Sequence, residues 1–453
     1  ADNVMVYAHP VGAPAGRVFD VRDHGAAGDG VSDDTAAIQA ALDAAEGTGG
    51  SVYLGDGVFL SGTIRLRSDT TLHIDDDAVL LGSQDDARYP RLTPSTTGTP
   101  RVGGNIEKAL VYSAGADGVR IDGGGTIDGN GRTPAWAGGP ERTRPTALFL
   151  TTGRDVSVRN VHVKDAGMWT LVSAEVEGLV VADVNVDSNL APNRDGIETI
   201  DCHDVLIERV SVWSDDDSIV FKSYSGGPSN GIPGTPDAQR PFGVDGVTVR
   251  LATIGRSERA NGVKFGTASH GAFRDVVVED VLVKNTYHTG IVVQAIDGAV
   301  VHDLTFRRVT MHGVGEPILL LNGRRTEYTG APRWIDTVRF EDISGGVRLS
   351  PIADGRDRRR YGSAISGQTD GGTTHRIYSL LFSNVRLTVQ GGLTSVPPDP
   401  AEYTGVYPEA WMWKPPSYGW YFRHVTGLTT RATTATPSSP DTRRETELRD
   451  VLT

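Results

Sequence analysis

The sequence predicts an all-β protein, a parallel β-solenoid covered at its N-terminal end by a helix. Three observations predict it: a strand signature that recurs at coil-sized intervals, 56 glycines in 453 residues, and one early segment with helical spacing. The signature is an alternation of apolar residues interrupted by a small or acidic residue. It runs from Asp155 to Val163, Gly178 to Val186, Asp204 to Val212, Gly246 to Ile254, Asp275 to Val283 and Ala299 to Phe306. Successive starts are roughly 23, 26, 42, 29 and 24 residues apart, the range of repeat architectures in which each coil buries the face of the next.

The N-terminal cap is expected over about 19–50. Within it, Asp33 and Asp34 suit a helix N-terminus, and Ile38, Ala41, Leu42 and Ala45 fall on one helical face. Such a helix would cover the open edge that a stack of parallel strands leaves at its end. Weaker strand signals at 70–81 and 119–127 lead into the coils of about 150–325, which are expected to carry the site. Signals at 337–343 and 379–389 continue into C-terminal coils and an aromatic segment over about 335–453, where Trp411, Trp413, Tyr418 and Trp420 read as a packed cap. One domain, 1–453, accounts for the chain. The long step holds Tyr224 to Phe242, rich in Gly, Pro, Ser and Asn, which should leave the coil as a loop and wall any cleft beside it. A second loop is expected from Asn322 to Trp334.

Composition narrows the function classes. A net charge of −13 argues against nucleic acid and anionic membrane surfaces, since basic patches drive binding to both. No run of about twenty apolar residues suggests a membrane span. Cys202 is the single cysteine, which excludes an intramolecular disulfide and a thiolate cluster and reads as a small buried residue. The chain starts at Ala1 without an initiator Met, as a secreted protein would after removal of its export signal. A monomer is expected, with no cofactor and no metal.

Two acidic stretches carry the chemistry: Asn193-Arg194-Asp195-Gly196, and about one coil later Asp215-Asp216-Asp217-Ser218-Ile219-Val220-Phe221-Lys222. In a solenoid, carboxylates one coil apart stack at one azimuth, close enough to act on a single bond. Calcium binding, or a ladder of Asn and Asp turns, is the rival reading of such acids. Regular alternation would put Asp217 on the same face as Ile219 and Phe221, in the core, where an unpaired charge is costly. A bend just before Ile219 is therefore expected.

Several stretches together resemble the polygalacturonase family of glycoside hydrolases, family 28. They are the opening from Phe19 to Ile38, Ser61 to Ile74, Gly123 to Asn130, and the two acidic motifs, and the likeness reaches the segments Tyr407–Lys414 and Tyr418–Val425. The opening alone is shared by lyases, hydrolases and phage tailspikes. The resemblance implies a right-handed parallel β-helix and an inverting hydrolase of pectic polysaccharide. Arg194 stands where the family has Thr and Asp215 where it has Gly, but the three family carboxylates fall on Asp195, Asp216 and Asp217. The resemblance makes Asp216 the proton donor and gives Asp195 and Asp217 the attacking water. An inverting pair is expected about 6.5–9.5 Å apart, a diagonal reach across coils about 4.8 Å apart. Repulsion among three carboxylates would help the cluster retain a proton.

The family's Gly-His-Gly and Arg-Ile-Lys motifs, which bear on the substrate, are altered here. Their places are taken by Arg259 to Gly266 and Thr289 to Gln294, with Ala260 or Asn261 for His, Val292 for Arg and Gln294 for Lys. Losing those cations removes the charge-assisted bonds that offset desolvation of a uronate carboxylate, so either Lys264, Arg259 or Lys222 substitutes for them or the sugar there is neutral, and plain homogalacturonan is not the expected substrate. Candidate sugar contacts are Asn193, Lys222, Asn261, Lys264, Tyr287, His288, Gln294 and Trp169, the last one coil before Asp195 and able to stack on a pyranose ring. Core packing is the equal rival for Trp169. Two other functions compete: a β-helix lyase, which needs calcium and a basic residue where this chain has acids, and a carbohydrate-binding solenoid without catalysis.

Overall fold

The computed structural model describes residues 6–92, 106–132, 136, 143–189, 192–224, 243–257, 259–325, 333–348, 362–402 and 414–453. Most of the loop expected from Tyr224 to Phe242, part of that from Asn322 to Trp334, and Trp411 and Trp413 lie outside these residues. The fold is mostly β, with parallel ladders of the right-handed parallel β-helix kind and a single α-helix among the described residues. Two compact units divide the chain, 1–219 and 220–453.

In the first unit, the long strands Arg154–Lys164, Glu177–Ser188 and His203–Ser214 coincide with the first three signatures. They pair in parallel and in register, Val156 with Leu179 and Leu179 with Val205, so the apolar positions form continuous buried columns. A second parallel ladder, which the sequence pattern did not reveal, joins Ala109–Ala114, Thr146–Thr151, Leu171–Ala174 and Ile197–Ile200. Nearly every side chain on these short strands is buried, so no alternation marks them.

Positive φ angles explain the interruption in the signature. Asp155 and Asn160, Gly178 and Asp183, and Asp204 and Arg209 all adopt left-handed backbone, bending each long strand twice. Asp, Asn and Gly tolerate that conformation best, which is why the break in the apolar run is small or acidic.

The helix runs Thr35–Ala45 and buries Ile38, Ala41, Leu42 and Ala45, the expected face. Gln39 fixes it to the coil, donating to Arg65 O (3.0 Å) and accepting from Arg65 N (2.8 Å). The two acids divide their work differently from simple capping. Asp33 accepts from Thr35 N, whereas the buried Asp34 carboxylate turns back to accept from Ala27 N (2.7 Å) and Gly28 N (3.0 Å).

In the second unit, the long strands Val244–Gly255, Ala272–Lys284, Val300–Val314, Trp334–Val347, Ile377–Gly391 and Ser417–Ser439 form one parallel ladder closed by Arg444–Leu452. Phe306, Phe340 and Phe382 stack along its interior at centroid spacings of 5.0 and 4.8 Å, within the range of offset-stacked rings. Trp420 packs edge-on against Phe382 and is buried. No helix among the described residues is long and apolar enough to cross a membrane.

Candidate active site

The first unit brings the three sequence-picked carboxylates together. One oxygen each from Asp195, Asp216 and Asp217 lies within 4.8 Å of the others. Asp195 follows the turn that precedes the short strand Ile197–Ile200, and the other two sit between His203–Ser214 and Ile219–Ser223. The backbone aligns them: Thr170 N donates to Asp195 O (3.0 Å) and Gly196 N to Asp217 O (2.9 Å), so Trp169, Asp195 and Asp217 occupy equivalent places on successive coils.

The expected bend is present, with Asp215, Asp216 and Ser218 departing from strand geometry before Ile219 resumes it. Ser214 holds the bend, its Oγ donating to Asp216 O (2.6 Å) and meeting Ser218 Oγ at 3.0 Å. Alternation is thus reset, and Ile219 enters the core at 0% exposure while Asp217 stays with the other carboxylates. Gly196 permits the close approach. A Cβ there would lie 2.3 Å from Val212 Cγ1 and 2.4 Å from Ser218 O.

The three acids are unequally placed. Asp195 and Asp217 are recessed, at 3% and 2% exposure, whereas Asp216 is half-buried. Asp217 N donates to Asp216 Oδ1 (2.9 Å), which fixes the orientation of the Asp216 carboxyl. Asp195 and Asp217 are direct neighbours on adjoining coils, and Asp216 joins them from the bend. The donor set of three carboxylates also has the chemistry of a hard-cation site.

Arg194, which stands where the resemblance expects Thr, turns away from these oxygens. Its guanidinium is buried and donates to three carbonyls, Ala166 O (2.8 Å), Pro192 O (2.8 Å) and Gly131 O (3.0 Å). Burial pulls its pKa down to about 10, and the positive Arg144 nearby adds to the effect, so it stays charged at neutral pH. Arg144, buried beside it, was not singled out by the sequence. It donates to Pro192 O (2.9 Å) and to Asn193 Oδ1 (2.8 Å), and Asn193 itself has φ 61°. Only its position two coils before Asn193 could have pointed to it.

Trp169 belongs to the first unit and is 4% exposed. Cys202 is fully buried with its thiol pushed up to about 12 by burial, the state of an inert packed side chain. In the second unit, Lys222, Asn261, Lys264 and Tyr287 are all buried and His288 is half-buried. Asn261 Oδ1 accepts from Thr289 N (3.0 Å), and the Tyr287 and His288 rings meet edge to face at 4.5 Å. Gln294 is fully buried, at 0% exposure, beside Gly266. Val292, its partner in the altered motif, is equally enclosed, against Leu319 and Ala364.

Residues 96–349, more than half of the chain, match glycosyl hydrolases family 28, and residues 18–75 match the rhamnogalacturonase A/epimerase, pectate lyase-like family. A protein named "Probable polygalacturonase" from Vitis vinifera is 30% identical over 305 residues, 64% of this chain and 60% of that protein. The endo-xylogalacturonan hydrolase A of Aspergillus tubingensis is 26% identical over 56% of this chain and 67% of its own length. Among solved structures, the exopolygalacturonase of Thermotoga maritima superposes with a TM-score of 0.67 at 21% identity, over 84% of this chain and 88% of that one, a likeness of fold. Family match, parallel coils and paired acidic motifs agree, and the chain belongs to glycosyl hydrolases family 28 as a polygalacturonase-like member.

Proposed function

We propose that this protein hydrolyses glycosidic bonds of a pectic polysaccharide by single displacement, with Asp216 as the acid and Asp195 and Asp217 holding the attacking water. The observation that carries the reading is the convergence of the three carboxylates with unequal exposure. Asp216, nearest solvent, can reach a leaving-group oxygen and hand over a proton. Asp195 and Asp217 are set back, which leaves room for a water between them and the anomeric carbon. Direct attack by either carboxylate would need contact with that carbon. The exposure difference between Asp216 and the two recessed acids is what favours water as nucleophile.

For the substrate, the places of the family's Arg and Lys are filled by Val292 and Gln294, both fully buried, which leaves no cation there for a uronate carboxylate. A pectic polymer whose galacturonan is substituted or interrupted by neutral sugar fits better than plain homogalacturonan. The named activity of the Aspergillus tubingensis relative is of that kind. A polymer too large to cross a membrane implies action outside the cell.

The test is a panel of homogalacturonan, xylogalacturonan and rhamnogalacturonan incubated with wild type and Asp216→Asn. Reducing ends and ultraviolet absorbance of unsaturated products are scored separately. Hydrolysis predicts reducing ends without absorbance, lost in the variant, and strongest on a substituted polymer. Unsaturated products would replace the reading with a lyase, and a polymer that binds without being cut would replace it with a carbohydrate-binding solenoid.

A further inference from the structure

We propose that Arg144 is a positioning residue that orients the Asn193 amide so that its Nδ2 group donates to the sugar bound beside the acidic cluster. This inference rests on the hydrolytic reading above. Arg144 lies at the start of the strand Thr146–Thr151, yet its guanidinium crosses a whole coil. Nη1 meets Gly167 O (3.5 Å) and Pro192 O (2.9 Å), and Nη2 reaches Asn193 Oδ1 (2.8 Å), 49 residues further along the chain. The turn it passes has no side chain, since a Cβ on Gly167 would lie 2.8 Å from Pro145 O.

A guanidinium only donates, so its bond fixes which end of the Asn193 amide is oxygen. Nδ2 is then the other end, on a half-buried side chain two residues from Asp195, and among the described residues it donates to no protein acceptor. A fixed donor beside the carboxylates suits a sugar hydroxyl or ring substituent. The left-handed backbone at Asn193 holds the same geometry from the other side, because the residue can neither rotate freely nor be replaced by most others without strain. Arg144 thus acts on substrate only through Asn193.

Asn193→Asp separates donation from structure: Asp tolerates left-handed backbone and still accepts from Arg144 but has no Nδ2. It should melt within a few degrees of wild type while kcat/KM on xylogalacturonan falls about tenfold, the size of one lost hydrogen bond of about 1.4 kcal/mol. Arg144→Met and Asn193→Ala should each give a similar loss, and the double variant no more than either alone. A crystal structure of Arg144→Met should show the amide turned from its wild-type orientation. Wild-type kcat/KM in Asn193→Asp, additive losses in the double variant, or an unmoved amide would each overturn the proposal. The structure needs no substrate, so the orientation is tested even if xylogalacturonan is not cut. Wild-type turnover abolished by Asp216→Asn, with Asn193→Asp unaffected, would leave the hydrolytic reading standing and remove only this one.

Discussion

In the proposed mechanism the chemistry turns on Asp216, whose carboxyl is held by the Asp217 amide and is the most solvent-accessible of the three. Asp216→Asn keeps the shape and removes the proton, so kcat should drop by about 100- to 10,000-fold, with the melting temperature unchanged. The same three side chains could instead hold a cation, and the two roles separate cleanly. A hydrolase of the proposed kind should keep full activity after exhaustive dialysis against a chelator, whereas loss restored by calcium would assign the cluster to metal binding. Arg194 works beneath the cluster as a structural charge: its three carbonyl partners bind the turns of three coils together. Arg194→Met would leave Ala166 O and Gly131 O without that donor in the interior, Pro192 O keeping Arg144, and should cost on the order of 3 kcal/mol in a denaturation experiment.

At the scale of elements, the short strand Ile197–Ile200 and the bend before Ile219 set the separation of the acids, and Gly196 is the tightest point between them. Gly196→Ala should force Val212 and the backbone of Ser218 aside, lowering both stability and activity, measurable as a depressed melting temperature and reduced turnover in one variant. The long strands were legible in the sequence because one face is solvated and their corners need Asp, Asn or Gly. The short strands were not, since burial on both faces erases the alternation that reveals a strand. Within the site, the acids could be read because two motifs one coil apart converge only in a solenoid. Arg144 could not, for a long side chain that reaches across a coil leaves no local pattern. The full burial of Gln294 was not legible for a related reason: sequence places a side chain on a coil but does not say what covers it.

For the whole molecule, a parallel stack needs its last strand secured. Here the described contacts are electrostatic as well as apolar. Asp450, on the strand Arg444–Leu452, is held below the usual carboxylate range first by His424 Nδ1 (2.6 Å) and then by Arg376. Its folded pKa lies below its unfolded value of about 3.8, so the stabilisation is present above that value and lost as pH falls through the folded one. Hydrogen exchange in Arg444–Leu452 should accordingly be slow at neutral pH and rise selectively below about pH 3.8, ahead of the Phe306, Phe340 and Phe382 coils. The molecule's overall acidity, with a net charge of −13, also means that an acidic polymer is not drawn in by long-range attraction. The most direct test of single displacement at Asp195, Asp216 and Asp217 is proton magnetic resonance of the first product formed from a cleaved pectic polymer. The new reducing end should appear first in the anomeric configuration opposite to that of the bond cut, and not at all with Asp216→Asn. A first product of retained configuration, or an unsaturated sugar signal, would contradict it.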